Sequence, residues 1–184
     1  MVFWSRGGYT PGFQKIKDVI RMYGGKSMPE PGHTLQREEA LSNPIIRKVW
    51  LTVAMMDLIY YYAIYLRIKS QLGYTIICDR YMMDTNIDFH LTYPMEGTEK
   101  WVLWKILKFT AVKPDFHFVS TIPVPESVRR SKFKYEPFPD TPEVLLLRLD
   151  LYQKELAENY NIIYINGMRS ISSIEKEIEN AISL

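Results

Sequence analysis

The sequence predicts an α/β fold, an open parallel sheet flanked by helices. Three observations lead there. Four short apolar runs, Val2–Ser5, Thr75–Cys78, Phe116–Ser120 and Ile162–Asn166, are spread along the chain. Three of them are near-continuous rather than alternating, and the third run is interrupted by His117, which is how strands buried on both faces of a parallel sheet read. Helical patterns separate the runs, so right-handed βαβ units and one open parallel sheet follow.

The helices are read in chain order. Pro11 to about Tyr23 is the first, followed by a Gly/Pro-rich loop, Gly24–Gly32. The second is long. It opens at Asn43-Pro44 and closes at Gly73, because Asn caps a helix start, Pro suits the first turn and Gly suits the stop. Trp101 to Val112 is a third. A short helix begins near Pro125, and Tyr135–Pro142 breaks the chain. Thr141-Pro142 opens the next, with Leu145, Leu149, Tyr152 and Leu156 on one stripe. The last begins at Ser172, with Glu175 completing a capping box and Ile174, Ile178 and Ile182 facing inward.

A chain of 184 residues that is 47% hydrophobic makes one domain with a sizeable core and excludes global disorder. Its 23 Lys and Arg against 21 Asp and Glu leave +2, which argues against wrapping nucleic acid by bulk charge. One cysteine excludes a disulfide framework and a cysteine-based zinc site, and fits a reducing, cytoplasmic setting. Val49–Leu66 is an 18-residue stretch with Asp57 as its one formal charge, at the length threshold for a membrane span. Asp57 and four clustered tyrosines favour instead a helix buried on most sides inside a soluble domain.

Three motifs carry chemistry. In Thr75–Tyr81, TIICDRY, an apolar strand ends in Asp79 and Arg80. Ligands of open α/β sheets bind beyond the carboxyl ends of strands, where an acid can hold Mg²⁺ and an arginine can fork onto phosphate. A solvated loop with a local ion pair is the alternative. In Val128–Lys134, VRRSKFK, Arg129, Arg130, Lys132 and Lys134 lie together without an acid. This is either a solvated basic face, a short nucleic-acid contact or a lid whose arginines close over phosphates. In Ser5–Gly12, SRGGYTPG, Gly7 and Gly8 let the backbone turn sharply or approach a ligand, and Arg6 can meet an anion.

Together these features resemble the thymidylate kinase family of P-loop nucleoside monophosphate kinases. VFWSRGGYTPG resembles the family's second strand and Arg-rich turn, and IICDRY its Asp-Arg-Tyr motif. KPDFHFVSTIPVPESVRR resembles the Pro-Asp strand and the helix leading into the lid, and LRLDLYQKELAENYNIIYING the helix before the last strand. The resemblance implies transfer of the γ-phosphoryl group of ATP to a nucleoside monophosphate, dTMP or a related acceptor. It implies that Asp79 holds Mg²⁺, that Arg6 and Arg80 grip the acceptor phosphate, and that Arg129 and Arg130 belong to a lid spanning about residues 126–142. Asn166–Ser170, with Asn166 and Arg169, would lie near the donor base. Members often dimerise through a long helix, so a homodimer is expected.

The sequence departs from the family at named places. No G-x-x-x-x-G-K-[ST] loop occurs. Gly25-Lys26-Ser27 is no substitute, because Ile20 stands where the first glycine belongs and a helix precedes it. A family-like sheet without its central first strand has two apolar strand edges unpaired, so roughly 20–30 further upstream residues are expected. Ala54, Met56 and Leu58 stand at the positions of the family's Phe-x-Ala-x-Arg, while Trp50 and Tyr61 read as core or wall. After DRY, Asp84 replaces a serine and Asp88-Phe89 replaces Tyr-Gln. Asp84 and Asp88 share a helical face and either bind a sugar hydroxyl or metal, or face solvent. The remaining open reading is a non-catalytic nucleotide- or phosphosugar-binding protein. His33, His90 and His117 lack metal-ligand spacing, and Cys78 reads as a small core residue.

Overall fold

In the computed structural model, residues 1–6, 41–134, 139–159 and 161–183 are described; the helix expected at 11–23, the loop expected at 24–32, Gly7, Gly8 and residues 135–138 of the expected lid lie outside them. The protein is mixed α/β. It divides into two compact units, Met1–Val112 and Lys113–Leu184.

In the first unit, β1 (Val2–Arg6) pairs in parallel with β2 (Thr75–Asp79), with Ser5 opposite Cys78 and Arg6 opposite Asp79. The long helix runs from α1 (Pro44–Ile59) through a π-helical stretch (Tyr60–Tyr65) into α2 (Leu66–Gln71). Asn43 caps its start, the Asn43 side chain accepting from the Ile45 N–H at 2.9 Å. Gly73 ends it at φ 79°, a left-handed conformation that glycine adopts without penalty. Then follow α3 (Met82–Thr92), a 3₁₀ turn (Thr98–Lys100) and α4 (Val102–Thr110).

The core explains the long helix. Leu51, Met55, Leu58, Tyr62 and Leu66 recur every three or four residues and pack with Phe89, Tyr93, Trp104 and Leu107, while Phe3, Ile76 and Cys78 meet them from the sheet. Fully burying a leucine such as Leu51 is worth about 1.5–3 kcal/mol. The π turn holds more residues than an α turn, so the repeated four-residue steps from Leu58 through Tyr62 to Leu66 stay on the core side instead of drifting around the helix. Arg47 ties the start of the helix to the segment after α3: its Nε pairs with the nearly buried Glu96, and its Nη1 donates to the Leu41 carbonyl at 2.9 Å.

In the second unit, β3 (His117–Thr121) pairs in parallel with β4 (Ile162–Asn166), with Thr121 opposite Asn166. Between and after them lie α5 (Val124–Phe133), α6 (Pro142–Glu158) and α7 (Ile171–Ile182). Val119 and Ile165 are its buried apolar centre. The expected stripe Leu145, Leu149, Tyr152 and Leu156 is the partly buried side of α6, whose Leu146 and Leu147 are exposed.

Four expectations need correction. The strands form two two-stranded sheets, not one open sheet, among the described residues. They are not buried on both faces: Val2, Trp4 and Ile77 are exposed, because a two-stranded ribbon covered on one side leaves the other side bare. The long helix is not buried on most sides. Ile45, Val49, Met56, Tyr60, Ile64, Ile68 and Leu72 form an exposed stripe, although the Pro44–Gln71 helix is apolar and long enough to cross a membrane. Finally, α7 is capped by Ser170 rather than Ser172. The Ser170 hydroxyl accepts from the Ser173 N–H, so Glu175 completes no capping box and Ile182 is exposed.

Candidate functional site

The candidate residues fall into a strand-exit group in the first unit and an arginine group in the second. β1 and β2 run in the same direction and end in register, so Arg6 and Asp79 sit side by side at the carboxyl ends of two parallel strands. Parallel sheets place ligands there. Asp79 is exposed. Arg80, next in the chain, has φ 69°. A non-glycine residue in that region is held there by its surroundings at a cost of about 1–2 kcal/mol. The bend turns the chain from β2 into α3 and presents the Arg80 side chain to solvent, its Nη1 3.9 Å from Asp88 Oδ2. At that distance and exposure the pair is weak, so the guanidinium is readily available to a competing anion.

The bend is held from the other side by Tyr81. Its hydroxyl donates to the Val112 carbonyl at 2.6 Å, and its ring packs 4.5 Å from that of Tyr62. Burial pushes the Tyr81 phenol well above its ordinary range and that of Tyr62 up to about 12, so both are neutral hydrogen-bonding groups rather than acids or bases. Asp84 accepts from the Tyr81 N–H at 3.0 Å and closes the first turn of α3, where a negative charge suits the helix dipole. The structure thus gives Asp84 a capping role and Asp88 a link to Arg80. Beneath the exit, Ser5 is buried with its Oγ 3.0 Å from the Tyr61 hydroxyl, which makes Tyr61 a wall residue. Burial raises the Cys78 thiol, which is therefore no thiolate nucleophile at neutral pH.

Among the described residues, no group of three or more His, Cys, Asp or Glu converges to hold a metal. Mg²⁺ needs no such cage. It is held by one or two carboxylates while water and substrate phosphates supply the remaining oxygens. A single exposed carboxylate at a strand exit fits that kind of site, and Asp79 is the residue here that offers it.

In the second unit, Glu126 in the first turn of α5 gathers both Arg129 and Arg130. Arg129 donates through Nε and Nη2 to the two carboxylate oxygens, each at 2.7 Å, and Arg130 Nε donates to Oε1 at 2.7 Å. These bonds hold the Glu126 carboxyl down at about 2. Arg130 Nη2 also donates to the Gly167 carbonyl at 3.0 Å, linking α5 to the turn after β4. Gly167 is wedged against β3: a Cβ there would lie 2.7 Å from Ile122 Cγ2 and 2.8 Å from Ser120 Oγ. Asn166 Oδ1 accepts from the Met168 N–H at 2.9 Å and shapes this turn. Arg169 folds back onto α7, bonding Glu177 and Ser173.

Arg6 with Asp79 in strand register, Arg80 with Asp88, Arg129 with Arg130 around Glu126, and Arg130 with the 166–170 turn are therefore brought together within their units. Sequence reasoning missed Glu126, which lies just before the basic run; its spacings of three and four to the arginines were the available signal. It also missed Gly167, whose close packing leaves no local pattern. Comparison with known proteins finds no family model and no curated protein that matches this chain.

Proposed function

We propose that this chain is a thymidylate kinase-like phosphotransferase domain of the P-loop kinase class, acting on a nucleoside monophosphate, dTMP or a related acceptor, with ATP as donor. One observation carries the reading: a carboxylate residue and two arginine residues, Asp79 with Arg6 and Arg80, stand at the carboxyl ends of a parallel strand pair. Such a reaction needs positioning and charge neutralisation more than covalent chemistry. In this reading Arg6 and Arg80 orient the acceptor phosphate, and Arg129 and Arg130 meet the charge on the transferred group. Asn166 and Arg169 border the donor base, and Asp79 holds Mg²⁺, which supplies further charge neutralisation when bound. Gly7 and Gly8 are assigned to acceptor binding on the sequence motif alone, and Asp84 and Asp88 border the acceptor.

A second reading is a non-catalytic nucleotide- or phosphosugar-binding protein. It is favoured by the absence of G-x-x-x-x-G-K-[ST] from the sequence. A coupled ADP-release assay with ATP, Mg²⁺ and a panel of nucleoside monophosphates separates the two. The kinase reading expects ADP release that depends on one acceptor and is lost in Asp79→Asn. Acceptor binding without ADP release supports the second reading, and neither binding nor turnover removes both.

The exposed stripe on the long helix supports a homodimer. Its seven side chains, from Ile45 to Leu72, offer on the order of 600 Å² of apolar surface per copy, near the ~800 Å² per partner of a stable interface. A cytoplasmic setting completes the proposal.

A further inference from the structure

The second unit carries a carboxylate, Glu126, to which the phosphotransfer reading gives no role. Glu126 lies at the focus of two guanidinium groups, taking two N–H donors of Arg129 and one of Arg130. A carboxylate and a phosphate offer the same acceptor geometry to an arginine fork, so Glu126 stands where a phosphate edge would bind. Each guanidinium has five donors, more than these bonds use, so the pair has capacity for an anion larger than one carboxylate. Arg130 has a second anchor, the Gly167 carbonyl, so it keeps its place if the carboxylate leaves. Arg129 is steadied by the Phe133 ring, 5.4 Å from its guanidinium carbon. The arginine side chains are 60% and 43% exposed while that of Glu126 is 14% exposed, so the acid lies beneath its partners and the arginines face outward.

We propose that Glu126 is a built-in competitor for oligophosphate at the Arg129–Arg130 pair, holding the arginines ready and yielding them to an incoming phosphate chain. The proposal rests on the phosphotransfer reading and adds the residue that sets the strength of the lid's grip. Ion pairs made within one exposed helix are weak, so the exchange needs little driving force.

The test is calorimetric titration of inorganic tripolyphosphate into the full chain, into Glu126→Gln and into Arg129→Ala/Arg130→Ala, with circular dichroism to confirm folding. Glutamine keeps the shape and removes the charge, and Glu126→Ala serves as a second variant of the same sign. The expected result is binding about threefold to twentyfold tighter in both Glu126 variants and lost in the double arginine variant. Unchanged or weaker binding in the Glu126 variants, with the arginine variant still impaired, overturns the competitor role and leaves the lid reading standing. Tripolyphosphate binding that ignores the arginine variant, or no binding by any protein, overturns both.

Discussion

The hydroxyl of Tyr81 reaches the carbonyl of Val112 at 2.6 Å, and this bond pegs the strand exit that carries Asp79 and Arg80 to the end of the α4 region. Tyr81→Phe keeps the ring against Tyr62 but leaves that carbonyl without its donor. The expected loss is about 1 kcal/mol, read as a lower urea midpoint at unchanged slope. Tyr81→Ala also removes the ring and costs about 3 kcal/mol or more.

Gly167 is expected to tolerate no side chain. A Cβ would meet Ile122 and Ser120 closer than atoms approach, and the backbone carbonyl that receives Arg130 would have to shift. Gly167→Ala should lower stability by about 1–3 kcal/mol, measurable by thermal unfolding.

Acid should loosen the second unit through Glu126. Its folded carboxyl sits near 2 against an ordinary value of 4.5, so its stabilising contribution is full above 4.5 and fades as the pH falls toward 2. Unfolding curves collected between pH 5 and pH 2 should therefore fall more steeply for the wild type than for Glu126→Gln. Equal slopes would show that the carboxylate is not held by the arginines in solution.

The apolar stripe of the long helix gives a fourth expectation. Ile64 is exposed while Leu66, two residues on, is buried. Ile64→Glu should abolish self-association in sedimentation equilibrium and change unfolding by less than about 1 kcal/mol. Leu51→Ala, in the core, should instead cost about 2–5 kcal/mol.

Much of this was legible from local chemistry. Ile162–Asn166 is a strand end to end, and Asn43 and Gly73 bound the long helix, because apolar runs, caps and left-handed glycines act over a few residues. The Ser170 cap escaped because several serines crowd one turn, and which of them caps depends on how the chain leaves β4. The π stretch escaped because two successive four-residue steps are too few to tell apart from the mixed three- and four-residue steps of an α-helix. Exposure of Ile77 and Trp4 escaped because strand composition does not reveal how many strands a sheet has. In the candidate site, Asp79 and Arg80 stood out as polar residues closing an apolar run. Glu126 and Gly167 act through neighbours three to forty-odd residues away in the chain, and only the folded unit brings Gly167 and Arg130 together.

Arg80 offers the most direct test. Its φ of 69° suits glycine, so Arg80→Gly should relieve strain and stabilise the fold by about 1 kcal/mol. If the guanidinium grips an acceptor phosphate, the same substitution should weaken dTMP binding, measured by calorimetry on the full chain, at least about tenfold. A more stable protein with weaker binding is the predicted outcome. A variant that binds the nucleotide as tightly as the wild type would contradict the account.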